Sequence, residues 1–197
     1  GVILVKSGWA VQSIRFRDYL PIGNPQIAVN FLDRWGVDEI VLLDIDATMN
    51  SICGIFNNLP RYVRGCHTPI AVGGGISKIE DVENCIRFGG DKVVINSSLS
   101  RNPHVIEEAS REFGKQAVVV SIDVKLIDVG EYRVVWNGGT KIGDMSPEYA
   151  AVFAQDLGAG EILIVSVDRE GTGKGFDVEL TRRIAQSVSV PVIACGG

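Results

Sequence analysis

Two glycine runs and a few strand-ending acids are the residues of this chain best suited to chemistry. Ile70-Ala71-Val72 leads into Gly73-Gly74-Gly75, and Ile193-Ala194-Cys195 leads into Gly196-Gly197. An apolar run, a glycine bend and a helix-favouring segment are how a buried parallel strand hands over to an anion-binding turn. Glycine lets backbone N–H groups approach a phosphate closely because no Cβ intrudes. Asn96-Ser97, closing the following strand, adds an amide and a hydroxyl. A tight turn by itself would also account for either glycine run. Asp44, Asp123 and Asp168 each end an apolar segment; carboxylates so placed either face a pocket or tie down neighbouring loops. His67 and His104 stand in no metal-binding or nucleophile constellation and are assigned no role.

These residues need a scaffold, and composition bounds it. The chain has 197 residues, 46% of them hydrophobic and 22% charged, with mean hydropathy +0.19. That is enough apolar mass for one large core. The net charge of −5 argues against nucleic acid and anionic membrane surfaces. A phosphate would thus be held by local backbone donors rather than by bulk charge. The four cysteines, Cys53, Cys66, Cys85 and Cys195, form no CxxC pair and read as reduced thiols of a cytoplasmic protein. No apolar run approaches the length of a membrane span, and no signal-peptide pattern is present.

Strands are expected at Val2–Lys6, Glu39–Ile45, Ile70–Val72, Lys92–Asn96, Ala117–Lys125, Glu161–Val167 and Pro191–Cys195. Helices are expected from Pro25 to Trp35, capped by Asn24 and stopped by Gly36; from Ile52 to Arg64, with Pro60 as an interruption; and from Lys78 to Phe88. Three more run from Asn102-Pro103 to Phe113, from Ser146-Pro147 to about Leu157, and from Val178 to Ser187. Trp9–Phe16 reads as an extended excursion, and Tyr132–Trp136 with its Asn137-Gly138 turn as a hairpin.

Strand and helix alternate with short links, which predicts a parallel α/β fold with both sheet faces covered. The segments also recur. Gly73 and Gly196 are 123 residues apart, as are Leu42 and Val165, and Ile3-Leu4-Val5-Lys6 precedes Ile122-Asp123-Val124-Lys125 by 119. A period near 120 predicts a (β/α)8 TIM barrel with a half-barrel internal repeat, one domain over 1–197 whose halves are about 1–116 and 117–197. By that count the chain stops after strand seven and lacks strand eight, which would leave two unpaired strand edges.

The motifs, taken as an ordered set, resemble one family. Ala71-Val72-Gly73-Gly74-Gly75-Ile76, Val94-Ile95-Asn96-Ser97, Val120-Ser121-Ile122-Asp123-Val124-Lys125, Gly158-Ala159-Gly160-Glu161-Ile162-Leu163, Asp168-Arg169-Glu170-Gly171-Thr172 and Pro191-Val192-Ile193-Ala194-Cys195-Gly196-Gly197 follow one another as in the cyclase subunit of imidazole glycerol phosphate synthase. The sister isomerase of histidine synthesis is similar to a lesser degree. The resemblance implies a barrel whose C-terminal rim binds a substrate with two phosphates. One phosphate would lie at Gly75, Asn96 and Ser97. The other would lie at Gly171, Thr172, Gly196 and Gly197, with Asp168 also at the substrate. It implies a heterodimer with a glutaminase subunit on the opposite face, contacted by Asp91. Ammonia would enter through a ring of charges that includes Glu39, Lys92 and Glu161. The alternative for the ring is a set of structural ion pairs, and for Asp91 a solvated acid. No cofactor and no metal are implied.

The family's chemistry uses an aspartate at the end of strand one and another at the end of strand five. Here strand five supplies Asp123, but Leu4 occupies the strand-one position, and Gln12 stands where the family has a lysine. Leucine cannot transfer a proton, and loss of a general acid or base typically costs on the order of 10² to 10⁴ in rate. The reading is therefore an ammonia-using subunit of this type whose own catalysis is lost or altered. It resembles a paralogue that passes ammonia toward amidination of a surface-polysaccharide sugar. The alternatives are a true histidine-pathway cyclase and a non-catalytic conduit that activates a glutaminase.

Overall fold

A computed structural model describes residues 1–47 and 55–197. Cys53 and the start of the helix expected from Ile52 lie outside the described residues. In chain order the strands are β1 (Val2–Lys6), β2 (Trp9–Ile14), β3 (Asp18–Gly23), β4 (Ile40–Asp44), β5 (Ile70–Gly73), β6 (Lys92–Ile95), β7 (Val118–Asp128), β8 (Glu131–Trp136), β9 (Lys141–Ile142), β10 (Glu161–Ser166) and β11 (Val192–Cys195). The α-helices are α1 (Pro25–Trp35), α2 (Ile55–Tyr62), α3 (Ile79–Arg87), α4 (Ser98–Arg101), α5 (His104–Phe113), α6 (Pro147–Asp156) and α7 (Val178–Ser187).

The parallel part of the sheet runs β1-β4-β5-β6-β7-β10-β11. These are the seven strands expected from sequence, and the fold is the α/β barrel type with its strands in chain order. Side chains alternate along each strand. Ile3, Val5, Leu42, Val72, Val93, Ile95, Val120, Ile122, Ile162 and Ile164 face outward into the layer shared with the helices. Val41, Ala71, Val94, Val119, Leu163 and Val165 face inward, with Leu43, Ile193 and Cys195 against them. Period-two alternation with apolar residues on both faces is what a sheet covered on both sides requires. Residues of β1, β4, β6, β7, β10 and β11 all line one cavity, so the sheet curls around it. Gly74 and Gly196 follow β5 and β11, and parallel strands put both bends on the same rim.

Helix ends follow local chemistry. The Asn24 side chain accepts from Gln26 N–H at 2.9 Å, and Gly36 closes α1 in the left-handed region at φ 70°. Ser146 accepts from Tyr149 N–H at 3.2 Å to start α6. Pro60 does not interrupt α2: the helix runs through it to Tyr62, and Val63 N–H still reaches Leu59 O at 3.0 Å. Proline lacks its own N–H and forfeits a single bond there.

Both excursions are antiparallel hairpins built on a barrel strand. β2 pairs with β1 and β3 with β2; β7 continues to Asp128, three residues past the expected end, to pair with β8, which pairs with β9. The β1 edge expected to be bare is thus covered along Leu4–Lys6 by β2. β11 pairs only with β10 among the described residues. Among the described residues no helix is long and apolar enough to cross a membrane.

Candidate functional site

The strands enclose a cavity of about 460 Å³ that opens at their C-terminal ends. Its inner wall is apolar, with Val2, Leu4, Leu43, Val94, Leu163 and Val165. Charged side chains lining it are Lys6, Asp44, Arg101, Asp123 and Glu170.

Asp123 projects inward from β7, one residue out of phase with buried Ile122 and Val124. It is 8% exposed. Burial pushes its carboxyl up to about 7, against the lowering effect of an Asn96 side-chain hydrogen bond and with help from the Glu170 charge. Glu170 is itself raised by burial. The cavity therefore holds two coupled carboxyl groups, one of them poised near neutrality, the condition for general acid–base work. Leu4 is half-buried in the cavity wall on β1. No acid stands at that strand-one position.

The strand-one side of the mouth carries other polar groups. Lys6 Nζ lies 2.7 Å from Asp46 Oδ1, and Ser7 N–H and O–H donate to Asp46 Oδ2 at 2.6 and 3.1 Å. Burial alone would raise Asp46, but these bonds hold it below its ordinary value. Lys6 also sits 5.0 Å from the centre of the Tyr19 ring. Asp44 turns its carboxylate to Asp46 and Ala47 N–H at 3.0 and 3.2 Å, and burial raises its pKa. Ser13, from β2, lines the cavity with its hydroxyl buried and without a hydrogen-bond partner among the described residues.

Gly74, Gly75, Asn96 and Ser97 all line the cavity. Gly74 has φ +126°, and a Cβ there would run into the backbone and side chain of Asp44; Gly75, at φ +69°, faces Ala47. These bends demand glycine, so the close approach that an anion needs comes with the fold. Asn96 Nδ2 donates to Ser121 O at 3.0 Å, which fixes the amide beside Asp123.

The other expected rim residues sit elsewhere. Gly171, Thr172, Gly196 and Gly197 are outside this cavity. Gly196 and Gly197 lie at the end of β11 against Ser166 and the Gly175 backbone, whereas Gly171 and Thr172 lie in the loop after β10, with Gly171 against Ser13 of β2. A Cβ on Gly197 would lie 2.8 Å from Gly175 C, one on Gly196 2.5 Å from Ser166 O, and one on Gly171 would strike Ser13 O. Thr172 Oγ1 donates to Arg169 O at 2.8 Å. Asp168 does not line the cavity: it is exposed and its Oδ2 accepts from Leu126 N–H at 2.7 Å. The extended β7 offers that N–H, so Asp168 anchors a loop, and Glu170 reaches the cavity instead. Sequence reading singled out neither Glu170 nor Arg101. The one signal for Glu170 was its place between Asp168 and Gly171.

At the opposite end of the strands, Glu39, Lys92 and Glu161 meet. Lys92 Nζ lies 2.9 Å from Glu39 Oε1 and 2.7 Å from Glu161 Oε1. Burial pulls the Lys92 ammonium down, but both glutamates more than offset it, and its pKa is raised. Asp91, beside Lys92, accepts from Ile70 N–H at 2.8 Å and so braces β5.

One further polar cluster supports the rim. Asp177 is buried; it caps α7 through Leu180 N–H at 3.1 Å, accepts from Tyr132 O–H at 3.1 Å, and lies 3.6 Å from Arg169 Nε. It joins the β8 hairpin, the loop after β10 and α7. Among the described residues no group of His, Cys, Asp and Glu could hold a metal ion.

Comparison with known proteins agrees with this architecture. The family described as histidine biosynthesis protein matches residues 1–197. The imidazole glycerol phosphate synthase subunit HisF of Alkaliphilus metalliredigens is 42% identical over 194 residues, covering 98% of this chain and 77% of that protein. The HisF subunit of Metallosphaera sedula is 42% identical over 193 residues, covering 98% and 76%. That of Bacillus cereus is 41% identical over 193 residues, covering 98% and 77%. On this sequence match, carried by a curled parallel sheet with glycine bends on one rim, the chain belongs to the histidine biosynthesis protein family, as a homologue of the HisF subunit of imidazole glycerol phosphate synthase.

Proposed function

We propose that this chain is the ammonia-using subunit of a glutamine amidotransferase of the imidazole-glycerol-phosphate-synthase type, acting in the cytoplasm with a glutaminase subunit, and that it does not perform the histidine-pathway cyclisation at a normal rate. In this reading the charged floor at Glu39, Lys92 and Glu161 admits ammonia, with the Asp91 side facing the glutaminase. A phosphorylated small molecule sits on the rim, with one anionic end at Gly75, Asn96 and Ser97 and the other at Gly171, Thr172, Gly196 and Gly197. Asp123 is the acid–base residue. The two halves, about 1–116 and 117–197, each contribute one anion-binding end. Ammonia that is not consumed here passes to a separate enzyme that amidates a nucleotide-linked polysaccharide sugar.

The observation that carries this is Leu4, an apolar side chain in the cavity wall where the family places its second aspartate. One carboxylate cannot both deliver and remove protons on opposite faces of a substrate. A second reading, a working cyclase, is favoured by one feature: Glu170 is a half-buried carboxyl in the same cavity, coupled to Asp123. The two readings separate in one assay. The full-length protein is given the histidine-pathway cyclase substrate and excess ammonium salt. The proposal expects turnover at least on the order of 10²-fold below a normal cyclase, with Leu4→Asp recovering part of it. Normal turnover by the unmodified protein would refute it, and loss of that turnover in Glu170→Gln would establish the second reading.

A further inference from the structure

We propose that Arg101 is a specificity-determining residue of the rim: it supplies the cation for the phosphate group held at the Gly74–Gly75 bend. This rests on the phosphate reading above and adds to it a side chain which that reading does not use.

Of the two cations lining the cavity, Lys6 is committed to Asp46. Arg101 has no carboxylate partner among the described residues. Its guanidinium donates to the neutral side-chain oxygen of Asn137. A guanidinium carries five N–H donors, and this bond uses one of them, leaving a fork free for a planar or tetrahedral oxyanion.

The position is built rather than incidental. The short turn that carries Arg101 is stitched to the glycine bend from both sides. Ser98 Oγ donates to Ile76 O at 2.5 Å, and Asn102 Nδ2 donates to Ser77 O at 3.0 Å. Arg101 therefore moves as one piece with Gly74 and Gly75, whose bends admit no Cβ. Two of the cavity's three acids are engaged elsewhere, Asp44 by its own loop's N–H groups and Asp123 by Asn96, and the third, Glu170, acts on Asp123. An anion entering this arc meets the Ser97 hydroxyl and a guanidinium with no carboxylate partner among the described residues. Asn137, at the tip of the β8–β9 turn, holds the guanidinium over the mouth until a ligand takes it.

The test is a titration of the full-length protein with inorganic phosphate at constant ionic strength, following backbone amide shifts of Gly74, Gly75 and Ser97. Wild type is expected to shift at those amides. Arg101→Gln should weaken phosphate roughly tenfold, the loss of one charge-assisted contact. Arg101→Lys should recover part of that, because it keeps the charge but not the fork. Asn137→Ala should stay within about twofold of wild type, since Asn137 only parks the guanidinium. Phosphate binding by Arg101→Gln equal to wild type, at the same amides, would overturn the role of Arg101 and leave the glycine-bend site standing. Absence of shifts at Gly74, Gly75 and Ser97 in wild type would overturn both.

Discussion

Replacing Asp123 with asparagine isolates the cost of keeping a carboxyl in the barrel wall. The pKa of this group moves from 3.8 to about 7, with burial the chief cause, the Asn96 bond opposing it and the Glu170 charge adding to it. Folding therefore takes up a proton at Asp123 between those two values. Below the lower one the group is neutral in both states and costs nothing. Stability falls as pH rises through the window, and the whole penalty is present above the upper value. The window is about three pKa units, on the order of 4 kcal/mol at ~1.4 kcal/mol per unit. Part of that belongs to the interaction with Glu170, so about 2–4 kcal/mol is expected at about pH 8. Asp123→Asn has no charge to desolvate and keeps an acceptor for Asn96. It should match wild type near pH 4 and exceed it near pH 8 by about 2–4 kcal/mol, or about 4–16 °C in Tm for a domain of this size. Urea and thermal unfolding of both full-length proteins across this range measure the difference. A wild-type stability that stays flat from about pH 4 to 8, or a variant less stable than wild type at the upper end, would refute the reasoning.

Other perturbations probe the floor and the rim supports. Lys92→Met leaves Glu39 and Glu161 facing one another without the cation both share at 2.9 and 2.7 Å. A loss of about 2–4 kcal/mol in urea unfolding is expected, and, under the function proposed above, any glutamine-driven turnover should fall while ammonium-driven turnover does not. An unchanged unfolding midpoint would remove the ion-pair account. Asp177→Ala strips the cap of α7 and the partner of the Tyr132 hydroxyl together. It should cost about 2–4 kcal/mol, and Tyr132→Phe combined with it should add little, because the two losses share one bond.

The outline of the fold was legible in the chain because its signals are local. Asn24-Pro25 with Gly36, and Ser146-Pro147, mark helix ends through atoms only a few residues away. Valine- and isoleucine-rich runs mark buried strands by composition alone. The glycine bend at Gly73–Gly75 was readable for the same reason, and the 123-residue recurrence of Gly73 at Gly196 by itself points to a curled sheet. Leu4, in place of the acid that the resemblance implies at the end of strand one, was equally a property of the string.

The contents of the cavity were decided in three dimensions. Asp168 and Glu170 differ by two positions, and nothing local separates them. The N–H of Leu126, 42 residues earlier, takes the carboxylate of Asp168, while Glu170 comes to face Asp123. The raised pKa of Asp123 likewise has no sequence signature, because desolvation is set by what the other strands place around a group. Arg101 reads as an ordinary polar residue ahead of Asn102-Pro103 until Ser98 and Asn102 stitch its turn to the bend at Gly74. Short-range chemistry determines which segments become strands and where they end; which of the end residues share a pocket depends on strand order and register, and those are set by contacts between parts of the chain far apart in sequence.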